Sequence, residues 1–400
     1  MVLQIDTANS PPWGNSVQVT TPAGGFDDPW LGYSGGNPFP TVFNANTPFV
    51  RGGLYNNTPY DIKNTYAESW NLGVQHQIAN KWLISTAYTG STTLHLWTQN
   101  QLNSGVYFYN GTNTCVLPNG TAITGTGGQC STLANLATRR KLTIENPQEG
   151  PYFTLLSNFD SGGTMSYHGL LVNVERRAAK GVTISGNYTW SHCIGDLTDF
   201  NGSGPNPGQD DWQDDNNRRG DRGNCVSDRR HVLNLTGVAE TPAFSNNTVR
   251  AIGSGWRLSA IYRKSSGSLL NVTSGVDNSL TGKSNQRAQQ LLENPYGDTS
   301  ARPGTNFLNP KAFVIPATGT FGNVARNSVR GVGTWDFDTA LSRVFRLRES
   351  QRFEVRAEAF NVLNRFRALN PSTAVSGSTF GVIRTARDPR IMQFALKYIL

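Results

Sequence analysis

The sequence holds 400 residues, with 35 Lys and Arg against 27 Asp and Glu, a net charge of +8 in which Arg supplies 27 of the 35 cations. Charged residues stand at 16% and hydrophobic ones at 37%, both low for a soluble globular domain, beside 42 Gly and 10% aromatics. That aromatic content excludes a disordered chain, and no apolar run approaches the ~18 residues of a membrane-crossing helix.

Period-two alternation, the mark of a strand with two unlike faces, recurs along the chain. Residues 1–64 read as an external loop and extended segment. The first clear strand begins near Thr65, where Tyr66, Glu68, Trp70, Leu72, Val74, His76 and Ile78 alternate with small or polar residues. After a tight connection at 79–81, a second strand sets Trp82, Ile84, Thr86 and Tyr88 on one face. The same hairpin returns over 167–193, where Val182, Ile184, Gly186, Tyr188 and Trp190 alternate with Thr183, Ser185, Asn187, Thr189 and Ser191. A third pair covers 228–240 and 255–264, with Trp256, Leu258, Ala260 and Tyr262 together. The best helical candidate is the short polar stretch 283–293. A fourth pair covers 335–347 and 352–364, and its second strand opposes Phe353, Val355, Ala357 and Ala359 to Arg352, Glu354, Arg356 and Glu358. Four charges on one face need water or partners, because burying them unpaired is costly. The last strand alternates Met392, Phe394, Leu396, Tyr398 and Leu400 with Gln393, Ala395, Lys397 and Ile399.

That makes nine spans of about 10 to 14 residues, enough to cross a bilayer at a tilt. Connections on one side are mostly a few residues long, whereas those at 95–165, 194–226, 266–331 and 367–388 are long and rich in Gly, Asn, Ser and Thr. Short turns on one side and long loops on the other are the asymmetry of outer-membrane barrels. The expected fold is therefore all-β: an antiparallel transmembrane barrel wall over 65–400, incomplete at nine strands, with short periplasmic turns and long extracellular loops. A secreted soluble β protein, an adhesin or a carbohydrate binder, is the competing reading.

Cys115, Cys130, Cys193 and Cys225 lack any CxxC spacing and sit in polar loops, which points to disulfides rather than zinc. Cys193 and Cys225 fall at the outer ends of adjacent strands and Cys115 and Cys130 share one loop, so these pairings are expected; crossed pairing or free thiols are the alternatives. His192 and Cys193 point to opposite faces of a strand, and such neighbours rarely share one ion, which argues against a zinc site with Cys225 and His231. The loop 209–222 gathers Asp210, Asp211, Asp214, Asp215 and Asp221 among Arg218, Arg219 and Arg222. Its spacing matches no calcium loop, and it reads as a solvated external loop. No catalytic constellation stands out, so neither an enzyme nor a cofactor site is expected. The arginines are scattered rather than clustered with aromatics, which argues against nucleic acid.

The hairpin ESWNLGVQHQIANKWLISTAYTGSTTLHLW resembles the strand pairs of Oar-like TonB-dependent receptors of the acidobacterial type. So do SYHGLLVNVERRAAKGVTISGNYTWSHCIGD and the closing run NSVRGVGTWDFDTALSRVFRLRESQRFEVRAEAFNVLNRFRALNP, followed by STFGVIRTARDPRIMQFALKYIL. The resemblance implies an outer-membrane barrel of about 22 strands, a plug inside it and an energy-coupling segment. The start, MVLQIDTANS, has no secretory signal, and no plug or coupling box is found. The expectation is the C-terminal part of such a receptor within a longer precursor, not transport-competent alone and reaching TonB only through N-terminal parts. Its substrate would be an iron chelate, a glycan or a peptide.

Within that frame Trp70, Trp82, Tyr88, Trp190, Trp256, Tyr262, Trp335 and Tyr398 read as aromatic girdles. Glu354, Arg356 and Glu358 read as lumen-facing. Phe394, Leu396, Tyr398 and Leu400 resemble the terminal signal by which the barrel-assembly machinery recognises its clients. Outer-membrane lipid and lipopolysaccharide are the remaining expected partners.

Overall fold

The computed structural model describes residues 23–32, 36–37, 39–40, 44, 53–79, 81–179, 181–196, 212–283, 286–346 and 351–399. Nine long strands form one continuous sheet in sequence order. They are β1 (Tyr66–Ile78), β2 (Trp82–Gln101), β3 (Phe153–Ala179), β4 (Val182–Gly195), β5 (His231–Glu240), β6 (Trp256–Ser265), β7 (Thr334–Arg346), β8 (Arg352–Phe360) and β9 (Ile391–Ile399). Each pairs antiparallel with the next. β1 and β9 stand at the two edges and do not pair with each other, so the sheet is open.

β2 and β3 run 20 and 27 residues, well beyond the 10 to 14 expected. The β2 sequence stays rich in Thr, Leu and Trp past residue 90, so strand propensity persists where a loop was expected. The register slips between Thr93 and Leu96 and again before Thr98, and His95 takes φ 55 in that interval, so bulges bend the hairpin without ending it. A short strand, Gly53–Asn57, runs parallel to the far end of β3.

The long connections are packed rather than open. Leu270, Val272, Leu308 and Phe313 from the β6–β7 connection meet Phe380 and Ile383 from the β8–β9 connection in a buried core at the long-loop end. The helix expected at 283–293 does not form. Arg287 and Ala288 are buried there, and Gln289–Gln290 pairs as a strand with Phe313–Val314. Tertiary contacts override a weak local preference. Gly267 anchors the base of this cap: a Cβ there would lie 1.9 Å from the Gly331 carbonyl oxygen. Gly267→Ala must push the two backbones apart, and the expected loss is about 1–3 kcal/mol; an unchanged thermal midpoint would refute that reading of the contact.

Candidate functional site

Strand register sorts the side chains of all nine strands onto two faces, because successive residues point to opposite sides. Following the pairs across the sheet, Trp82, Ile84, Val174, Tyr188, Leu233, Leu258, Leu341, Val355 and Leu396 fall on one face. All eight aromatic residues singled out in the sequence share it. Trp82, Trp256 and Tyr398 stand near the short-turn ends; Trp70, Trp190, Tyr262 and Trp335 stand farther along, with Tyr88 between. Trp70 lies over its cross-strand partner Gly90, where a Cβ would come within 2.4 Å of the indole. This face has no cover: Phe394 is 76% and Leu396 69% exposed. Leu400 lies outside the described residues.

The opposite face is polar. Across β1 to β5 it is mostly hydroxyl and amide, as in Ser69, Asn71, Ser85, Asn173 and Asn187. From β6 onward it is charged. Arg263 meets Asp338 at 2.5 Å and Arg356 meets Glu358 at 3.1 Å, while Glu354 lies opposite Lys397. Glu354, Arg356 and Glu358 thus sit together, on the face away from the aromatics.

Above the sheet, ion pairs lock the long connections together. The acidic loop is not the solvated segment the sequence suggested. Lys283 binds Asp215 and the Trp212 carbonyl, and Arg287 binds Asp221, which is only 1% exposed. Arg287 also donates to the carbonyls of Val324 at 2.7 Å and Gly220 at 3.0 Å. Both cations come from the β6–β7 connection, two strands away in sequence. They were missed because 283–293 was read as an isolated helix; Asp210 and Asp211 lie outside the described residues. Arg326 donates to the carbonyls of Gly195 and Asp196, and Arg330 lies 3.5 Å from the buried Asp228. Burial pulls the Arg139 guanidinium down to about 10, with Asp277 acting against it, so it stays charged at neutral pH.

Two disulfides tie the same region, Cys115–Cys130 and Cys193–Cys225. His192 bonds Asn224 at 2.8 Å and His231 bonds the Tyr188 hydroxyl at 2.7 Å. Among the described residues no group of His, Cys, Asp and Glu could hold a metal.

Where three connections meet, a cavity of about 220 Å³ is lined by Tyr107, Lys141, Asp214, Lys283 and Phe321, among others. Lys141 and Asp214 have no ion-pair partner among the described residues, so the cavity offers both charges and two aromatic rings.

The fold is similar to that of the outer membrane transporter YddB from Escherichia coli, at 11% identity and a TM-score of 0.42 over 86% of this chain and 34% of that one. It is also similar to the FrpB iron transporter from Neisseria meningitidis, at 10% identity and a TM-score of 0.37 over 86% and 33%. FpvA of P. aeruginosa, solved with heterologous pyoverdines, gives 10% and 0.37 over 83% and 27%. The chain spans about a third of the length of these structures or less. No curated protein matches the sequence. The family described as outer membrane beta barrel domain matches residues 2–393, nearly the whole chain. The chain therefore belongs to that family, and its place is the outer membrane.

Proposed function

We propose that the chain is the C-terminal portion of the barrel wall of an Oar-like TonB-dependent receptor, taking up a substrate such as an iron chelate, a glycan or a peptide. The observation that carries this reading is the sorting of faces, which continues from strand to strand across all nine. The apolar face meets lipid, and its aromatics form two girdles. Trp82 and the Trp70 partner Gly90 are eight residues apart; at ~3.4 Å per residue and the usual tilt that is roughly 20 Å of height, close to an apolar band of ~25 Å. The polar face, with Glu354, Arg356 and Glu358, lines the route, and the cap cavity holding Lys141 and Asp214 receives the ligand first. Residues 65–400 make the wall and 1–64 an external extended segment. Phe394, Leu396, Tyr398 and Leu400 address the chain to the assembly machinery, and coupling to TonB belongs to the complete receptor.

The chain refolded with lipid vesicles is expected to resist alkaline extraction and to migrate differently on a gel before and after heating. A monomer that stays soluble without detergent would overturn the reading. Within the inserted chain, Phe394→Arg on the lipid face is expected to cost about 2–3 kcal/mol, and Gln393→Arg next to it under ~1 kcal/mol. Equal effects at the two positions would remove the assignment of faces.

A further inference from the structure

The long-loop end of β7 carries a second cavity. It measures about 200 Å³ and is lined by Arg302, Val332, Trp335, Arg365, Phe366 and Arg367, among others. Trp335 stands on the apolar face, opposite Lys264 of β6. Its ring lies 5.8 Å from that of Tyr262, which stands beside it on the apolar face, just below the cavity. The Arg365 guanidinium lies 4.4 Å from the Trp335 ring centroid. Among the described residues neither Arg365 nor Arg302 forms a salt bridge, although Arg302 is close enough to Asp298 to act on its carboxylate. Arg367 is tied to Asp336 at 2.5 Å and to the Asp388 carbonyl at 2.6 Å, yet its Nε is buried with no hydrogen-bond partner.

Charge accumulates around this point. Residues 363–390 contain Arg365, Arg367, Arg384, Arg387 and Arg390 against the single acid Asp388. Arg365, Arg384, Arg387 and Arg390 are exposed. Arginine forks suit phosphate oxygens, which they bind in pairs. A soluble anion would use the rim but not the tryptophan and tyrosine beneath it. An amphipathic anion would use both, with its head on the arginines and its chains running down the apolar face past Ala260 and Leu341.

We propose that this cavity binds the phosphorylated headgroup of an outer-leaflet glycolipid, Arg302 and Arg365 holding the phosphate and Trp335 with Tyr262 seating the sugar–acyl junction. The proposal rests on the reading of the apolar face as the one that meets lipid. The test uses the full chain in nanodiscs of phosphatidylcholine containing either the bis-phosphorylated acylated glucosamine disaccharide or its dephosphorylated form, with retained lipid counted by native mass spectrometry.

The expected result is at least tenfold preference for the phosphorylated form. Arg302→Gln with Arg365→Gln should abolish that preference, and Arg365→Lys alone should keep part of it. Arg219→Gln, which removes one positive charge at an exposed position elsewhere, should leave it intact. Equal retention of the two lipids by an inserted chain, or an unchanged preference in the double variant, would overturn the phosphate site. Full displacement by millimolar inorganic phosphate would assign the cavity to a free anion and overturn the lipid. A chain that fails to enter the nanodisc at all would overturn the lipid-facing assignment itself.

Discussion

Arg287→Met is expected to loosen the cap by about 3–5 kcal/mol, the cost of leaving a buried carboxylate without its cation. Asp221 is 1% exposed, and Arg287 is its partner. The carbonyls of Val324 and Gly220 lose their donor in the same step. The measurement is proteolysis within 212–230 and 266–330 against denaturant concentration, with the wall strands as internal reference. Adding Asp221→Leu to Arg287→Met should recover most of the loss, because a pair of apolar residues carries no stranded charge. A single variant as resistant as the parent, or a double variant no better than the single, would sink this account of the cap.

The second large effect is expected from the disulfides. Cys193 and Cys225 are 32 residues apart, so breaking their bond in Cys225→Ser releases a closed loop worth about 3.7 kcal/mol of chain entropy. Cys115 and Cys130 are 15 apart, and Cys130→Ser should cost about 3.0 kcal/mol. The order matters more than either value: the 193–225 bond ties the end of β4 to the connection that follows it, whereas the 115–130 bond closes a loop within one connection. Denaturant midpoints of the two variants check it, and a larger loss for Cys130→Ser would contradict the loop-length argument.

The strands were legible in the sequence because alternation is a local signal. Trp82, Val182, Trp256 and Arg352 begin their strands where the period-two pattern begins. The shared face of the aromatics follows from parity once register is known. The cap was not legible, since its bonds join distant residues: Asp221 and Arg287 are 66 apart, and Asp215 and Lys283 are 68 apart. Nothing periodic marks such partners. A charge count did hold a clue. The segment 210–222 carries five acids, and two of its three arginines, Arg218 and Arg222, pair outside it with Asp160 and Asp196. Two cations, Lys283 and Arg287, come from outside it. The length of β2 and β3 was lost for a different reason, because bulges near His95 break the period that would have traced them outward.

The two edge strands run the same way: β1 and β9 both descend from the long-loop end to the short-turn end. Laid directly against each other they would pair parallel, unlike every neighbouring pair between them. A closed wall with every seam antiparallel thus needs an odd number of further strands between β9 and β1, for an even total. Two copies of this sheet joined edge to edge would meet in parallel at both seams. Strand direction alone therefore separates a complementary partner segment from self-association as the way to seal the edges.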